Sequence, residues 1–143
     1  MRIRPPLLTI LVTVALAAPG CGGTPAPAPP PASRLVPVAG TPGKIVLSAT
    51  GAQRIGLQTV PARARPARAG VIVPASAIVY DSRGRTLVYV ATAPLTFVSA
   101  PVTVVSMDGT QAVLSRGPHS GMPVVSVGAE ELYGVQTGVL AQT

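Results

Sequence analysis

Apolar and polar positions between 71 and 128 recur with the spacing of short β-strands. Runs rich in β-branched residues alternate with turn residues, and they lie at 71–73, 77–80, 86–92, 96–98, 101–107, 110–115 and 124–127. The run at 86–92 is apolar on both faces, which predicts a central strand covered on both sides. Short strands joined by tight turns predict an all-β fold, a small antiparallel β-roll or barrel.

Two glycine-containing turns join these strands. Asp108-Gly109 predicts a two-residue hairpin turn between the runs at 101–107 and 110–115, because a type I′ turn needs positive φ at both central positions. Residues 81–85 predict a second hairpin loop, in which Gly84 is free to take positive φ. We expect Asp81 and Asp108 to cap the backbone of their own turns. Asp108, Gly109 and Gly84 are therefore assigned to turn formation.

The segment 44–70 predicts short elements followed by a basic loop. Lys44 to Leu47 is a β-type run, and 48–55 predicts one or two helical turns with Ser48 as the N-cap. An extended stretch at 56–60 follows. Residues 61–70 then predict an exposed loop, in which Pro and Ala separate three arginines: Arg63, Arg65 and Arg68.

The first 20 residues have the order of charged, apolar and small residues that is typical of a secretory signal peptide. The apolar run from Leu7 to Ala18 is shorter than the roughly 20 residues that a membrane-spanning helix needs. Ala18-Pro19-Gly20-Cys21 then resembles the lipobox of bacterial lipoproteins, whose cysteine is lipidated and becomes the new N-terminus. We expect an exported protein of the cell envelope, anchored to a membrane by lipid on Cys21. The alternative is a plain signal peptide with a chance cysteine.

Residues 21–43 are rich in Pro and Ala, and we call them the tether. Proline lacks a backbone N–H and fixes φ, so we expect a disordered, extended, polyproline-like segment. Directly after the lipobox, such a segment would hold the folded part away from a membrane. The domain prediction is therefore a signal peptide at 1–20, the tether at 21–43, a short strand and helix segment with a basic loop at 44–70, and a β domain at 71–143.

Composition narrows the function classes. The chain has 11 basic and 4 acidic residues, a single cysteine and no tryptophan. A basic balance can indicate nucleic-acid binding, but an exported chain without an aromatic and basic stacking surface argues against it. Solubility, or attraction to anionic lipid headgroups, explains the charge instead. The single cysteine excludes an internal disulfide framework.

Catalytic and metal-binding patterns are missing from the sequence. His119 is the sole histidine and has no cysteine beside it, whereas a zinc site needs three or four suitably spaced ligands. Glu130 and Glu131 are adjacent, which makes a poor acid–base pair. Met107 and Met122 could in principle hold Cu(I), although isolated methionines more often serve packing. We expect no catalytic activity, no metal and no cofactor.

A series of short motifs, in order along the chain, resembles one protein family. The motifs are Val73–Asp81, Gly84–Val90, Phe97, Pro101–Val104, Asp108-Gly109, Ala112–Leu114, Gly117, Gly121, Val124–Gly128 and Glu131–Gly134. They resemble the C-terminal membrane-proximal domain of periplasmic adaptor subunits, also called membrane fusion proteins, of resistance-nodulation-division (RND) efflux pumps. Ile45–Ser48 and Ile55–Thr59 resemble the segment where such adaptors enter their β-barrel domain.

The resemblance implies a truncated adaptor. The long helical hairpin, the half-lipoyl motifs and most of the β-barrel of a full adaptor have no counterpart here. What remains is similar to the part beside the inner-membrane transporter, so the resemblance implies a docking role without chemistry. Loops on a rigid sheet commonly carry binding residues, and the expected partner-binding residues are Arg83 and Arg85, then Arg63, Arg65 and Arg68.

Two alternatives to the docking module remain. One is a small metal- or solute-binding lipoprotein of the cell envelope, and the other is a degenerate adaptor fragment with no partner. The lack of a cluster of His, Met, Cys and acidic residues argues against the first, and the full strand series argues against the second. The sequence leaves the oligomeric state, the partner pump and the exported substrate open.

Overall fold

The computed structural model describes residues 27–28, 31–38 and 41–138. The predicted signal peptide, Cys21 and most of the tether lie outside the described residues. Two α-helices and a short 3₁₀ turn at Ala75–Ala77 accompany the strands: α1 (Ala49–Arg54) and α2 (Ala129–Gln136). The strands are β1 (Ser33–Val38), β2 (Thr41–Leu47), β3 (Gln58–Pro61), β4 (Arg63–Ala64), β5 (Val71–Pro74), β6 (Val79–Tyr80), β7 (Thr86–Ala93), β8 (Thr96–Pro101), β9 (Thr103–Asp108), β10 (Gln111–Arg116) and β11 (Pro123–Val127).

These strands form two antiparallel sheets. The larger sheet has the order β1-β2-β8-β7-β11-β3, with β6 paired to β7, and the smaller sheet has the order β4-β5-β10-β9. The prediction of an all-β antiparallel fold is confirmed. The sheets do not close into a barrel, because each sheet ends in edge strands: β1 and β3 in one, β4 and β9 in the other.

The chain passes twice from the larger sheet to the smaller through a single buried residue. Ala62 lies between β3 and β4, and its N–H donates to the Met122 carbonyl at 2.9 Å. Val102 lies between β8 and β9, and its N–H donates to the Thr86 carbonyl at 3.1 Å. The segment 44–70 is therefore part of the same β-structure as residues 71–138, since it supplies most of β2 and all of β3 to the larger sheet.

Strand β7 is central, as the sequence predicted. It lies between β8 and β11, and three successive side chains are buried: Val88, Tyr89 and Val90. Val88 and Val90 pack into the core between the two sheets, whereas Tyr89 packs on the other face with Leu132 of α2. The Tyr89 hydroxyl donates to Gln136 Oε1 at 2.7 Å, so burial leaves it hydrogen-bonded. Burial also raises the pKa of Tyr89, which keeps the phenol neutral.

Helix α1 follows its predicted N-cap. The Ser48 side chain accepts a hydrogen bond from the Gly51 N–H at 3.0 Å, and the helix runs from Ala49 to Arg54. The second helix, α2, runs from Ala129 to Gln136 and has Glu130 and Glu131 in its first turn.

The expectation of a tether up to residue 43 is wrong at its end. The sheet begins at Ser33, and β1 pairs with β2 in an antiparallel register that places Leu35 opposite Ile45. The proline-dense run ends at Pro31, and only Pro37 falls within β1. A proline is tolerated there because an edge strand does not need every backbone N–H for pairing.

The β9–β10 hairpin turns one residue later than predicted. Asp108 is still paired with Gln111, so Gly109 and Thr110 make the connection. Gly109 has φ 26°, and Asp108 Oδ1 accepts from the Gln111 N–H at 3.0 Å. The donors from Gln111 and Thr110 hold the pKa of Asp108 below its usual range. The turn lies one residue later than predicted because the Asp108 carboxylate caps it from the end of β9 and not from a position inside the turn.

Candidate docking surface

The hairpin loop Asp81–Arg85 between β6 and β7, which we call the braced loop, is organised around one carboxylate. Asp81 Oδ1 accepts the backbone N–H groups of Arg83 and Arg85 at 2.9 and 2.8 Å. Asp81 Oδ2 accepts from Arg85 Nε at 2.7 Å. Gly84 has φ 75°, and its N–H donates to the Asp81 carbonyl at 2.9 Å. Four hydrogen bonds to one residue therefore fix the shape of the loop.

The charge state of Asp81 follows from these contacts. Hydrogen bonding from the Arg85 N–H, against partial desolvation, holds the pKa of Asp81 below its usual range. The carboxylate is thus ionised near neutral pH and pairs with Arg85, whose side chain is still 72% exposed. This is the only ion pair within the described ranges, so the neighbouring Arg83 has no carboxylate partner there.

The braced loop is also attached to α2. The Ser82 N–H donates to the Tyr133 hydroxyl at 3.1 Å. Helix α2 is held in turn by Leu132, which is fully buried in the core beneath the larger sheet. The loop is therefore positioned by the sheet through β6 and β7 and by the helix through Tyr133.

A large aromatic side chain lies beside the braced loop. Tyr80, the last residue of β6, is 59% exposed, the highest fraction among the exposed large hydrophobic residues that the structure describes. Tyr80 and Arg83 thus present an aromatic ring and a guanidinium group close together in sequence on one hairpin. Sequence reasoning missed Tyr80, because alternation alone does not show which face of a two-residue strand is covered.

The second arginine group lies on the smaller sheet. The expectation of a plain exposed loop at 61–70 is wrong at its start, because Ala62 is buried and β4 pairs with β5, with Arg63 opposite Ile72. Arg63 and Arg68 are exposed and Arg65 is half-buried. The two predicted arginine groups therefore belong to different sheets and do not form one site.

The structure brings Arg116 to the second group. Strand β10 ends at Arg116 and is antiparallel to β5, so that Leu114 lies opposite Val71 at the start of β5. Here Gly70, Val71 and residues 114–120 line an open cleft of about 370 Å³. Sequence reasoning missed Arg116, because the hairpin prediction at 108–109 placed the end of β10 beside the start of β9 and gave no register against β5.

The residues that the sequence analysis considered as metal ligands lie in different environments and do not form a site. His119 is exposed, Met107 is 44% exposed on β9, and Met122 packs against the core between the sheets. Across 27–28, 31–38 and 41–138, no group of three or more His, Cys, Asp or Glu side chains is placed to hold a metal ion. Neither α1 nor α2, the helices of this part of the chain, has the length and apolar character for crossing a membrane.

Comparison with known proteins gives no relative. No family model, no curated protein and no solved structure matches the chain.

Proposed function

We propose that this chain is a lipid-anchored, non-catalytic docking module that associates with an RND-type efflux transporter. The observation that carries the proposal is the braced loop, in which Asp81 fixes the backbone of the exposed Arg83 three residues after the exposed Tyr80. The ordered motifs that resemble the membrane-proximal domain of periplasmic adaptors support a transporter as the class of partner. Lipid on Cys21 would place the module at the membrane where such a transporter lies.

The chemistry of the braced loop suits a protein interface. Specific interfaces combine an apolar centre with a polar rim, and their strongest contacts are enriched in Tyr and Arg. Tyr80 offers apolar area, and Arg83 offers donors that no described carboxylate uses. Because Asp81 and Tyr133 already fix the loop, little ordering entropy is lost on binding.

A double variant that truncates one side chain and reverses the charge of another tests the docking role. We expect Tyr80→Ala combined with Arg83→Glu to reduce recovery of the transporter with the tagged protein from detergent-solubilised membranes by about tenfold or more, the effect of losing one strong interface contact. Arg85 is left unchanged because its reversal would place a second carboxylate against Asp81. The melting temperature should hardly move, since both side chains are exposed.

The control for this variant is Arg54→Glu, an exposed arginine in the last turn of α1. It makes the same charge reversal away from the braced loop and should leave recovery unchanged. Identification of the co-purified protein by mass spectrometry completes the experiment. A transporter of another class, or full recovery with the double variant, would contradict the proposal.

The lipid anchor is tested separately. Cys21→Ser should move the protein from the membrane fraction to the soluble fraction, because the lipidated thiol is lost. Intact mass of the mature wild-type chain is the decisive measurement, and it should give a chain that begins at Cys21 and carries acyl groups. An unmodified Cys21, or a chain that begins elsewhere, would refute the anchor.

A further inference from the structure

One end of the smaller sheet collects arginines from two separate stretches of the chain. Pairing of β5 with β10 places residues 65–70 next to the end of β10. The Arg65 N–H donates to the Gly70 carbonyl at 3.2 Å, which closes the loop that carries Arg68. Gly70 lies so close to β10 that a Cβ at this position would contact the Leu114 carbonyl oxygen. We call the surface formed by Arg65, Arg68 and Arg116 the arginine end.

Acidic residues lie elsewhere in the fold. Asp108 is at the opposite end of β9 from Thr103, the residue paired with Arg116. Asp81 is bound to Arg85 in the larger sheet, and Glu130 and Glu131 are in the first turn of α2. The described part of the chain therefore gives the arginine end no carboxylate partner, and Arg68 and Arg116 are exposed while Arg65 is half-buried.

The neighbours of the arginine end carry no acidic side chain. Pro66, Ala67 and Ala69 separate the arginines of the first loop, and Ser115, Gly117, Pro118, His119 and Ser120 flank Arg116 on the second. None of the exposed large hydrophobic residues is in these loops, since they are Leu35, Val38, Tyr80, Val105, Met107 and Val127. The surface thus offers charge without the apolar or aromatic centre that a specific protein interface requires.

We infer that the arginine end binds the anionic phosphate headgroups of a phospholipid bilayer. Such a surface attracts clustered arginines without needing a shaped apolar contact, and each basic residue near it strengthens binding roughly fivefold. Exposed guanidinium groups also match phosphate oxygens through paired N–H donors. This contact goes beyond the proposed transporter docking, because it needs neither the transporter nor lipid on Cys21.

Vesicle binding by the unlipidated mature chain tests the inference. The protein carries Cys21→Ser, so that any binding comes from the folded part and not from the acyl anchor. We expect co-sedimentation with vesicles of phosphatidylcholine and phosphatidylglycerol, no binding to vesicles of phosphatidylcholine alone, and weakening as salt increases. Arg65→Gln, Arg68→Gln and Arg116→Gln together should lower the partition coefficient by at least tenfold.

A variant with the same loss of charge is the matched control. Arg34→Gln, Lys44→Gln and Arg54→Gln together remove three exposed basic residues from other elements and should bind like wild type. Equal loss in both triple variants would overturn the inference, since net charge alone would then explain the binding. Melting temperatures of both variants close to wild type exclude unfolding as the cause.

Two further outcomes would also overturn it. No vesicle binding by the wild-type fold, together with calorimetric binding of inorganic phosphate that the Arg65, Arg68 and Arg116 variant loses, would assign the arginine end to free phosphate. No vesicle binding by the wild-type fold, together with loss of transporter recovery in the Arg65, Arg68 and Arg116 variant, would assign it to an acidic protein. Neither result would bear on Tyr80 and Arg83, whose test uses the transporter itself.

Discussion

Leu114→Ala is expected to lower the free energy of unfolding by about 2–5 kcal/mol, the range for removing a fully buried leucine side chain. Leu114 is 0% exposed and lies in the core between the two sheets. It is paired with Val71 on one side and with Val104 on the other. Its removal leaves a cavity that rigid strands on both sides cannot fill. Urea denaturation followed by circular dichroism measures the loss.

Leu35→Ala is the matched control for this variant. It removes the same atoms from edge strand β1, where the side chain is 41% exposed. We expect a loss of about 1 kcal/mol or less, because much of its apolar area already faces water. Similar losses for the two variants would show that the core is not centred between the sheets at Leu114.

Gly70→Ala is expected to cost about 3 kcal/mol or more, combining backbone strain with a steric clash. Gly70 has φ 116°, a value that side-chain-bearing residues rarely adopt. A Cβ at this position would also contact the carbonyl oxygen of Leu114, which is a backbone atom and cannot rotate away. The β5–β10 pairing would have to shift, and thermal unfolding should report the change.

Gly84→Ala separates the two causes. Gly84 has φ 75°, but no atom lies within 4 Å of the position of its Cβ. Only backbone strain of about 1–2 kcal/mol is expected there. An equal loss at Gly70 and Gly84 would contradict the close approach of residue 70 to β10. Gly70→Ala should also weaken vesicle binding by the arginine end, whereas Gly84→Ala should leave that binding unchanged.

Local patterns predicted the elements that depend on local physics. The alternation at 86–92 indicated a strand covered on both faces, and β7 is such a strand. Ser48 predicted the start of α1 because an N-cap acts within three residues. Asp81 and Asp108 cap amides two to four residues ahead, which a sequence displays directly.

Features that depend on the pairing of strands far apart in sequence could not be predicted from local patterns. β1 is a strand because Leu35 and Val36 find partners in β2, although the proline-rich composition before them favours disorder. Ala62 and Val102 mark the passages between sheets, yet nothing distinguishes either residue from its apolar neighbours in sequence. The approach of Arg116 to residues 65–70 required the register of β10 against β5. The candidate surfaces were therefore found in part, since the sequence pointed to Arg83, Arg65 and Arg68 but to neither Tyr80 nor Arg116.

The position of β1 has a mechanical consequence. The segment before Ser33 enters at the open end of the β1–β2 hairpin, where Ser33 is paired with Leu47. Tension along that segment would load the hydrogen bonds of β1 one after another, starting at Ser33, whereas β2 is held on its other side by β8. Peeling the 6 residues of β1 would release about 20 Å of chain and leave both cores closed. With the proposed lipid anchor at Cys21, a pull on the anchored segment would lengthen the chain at this one edge before either core opens.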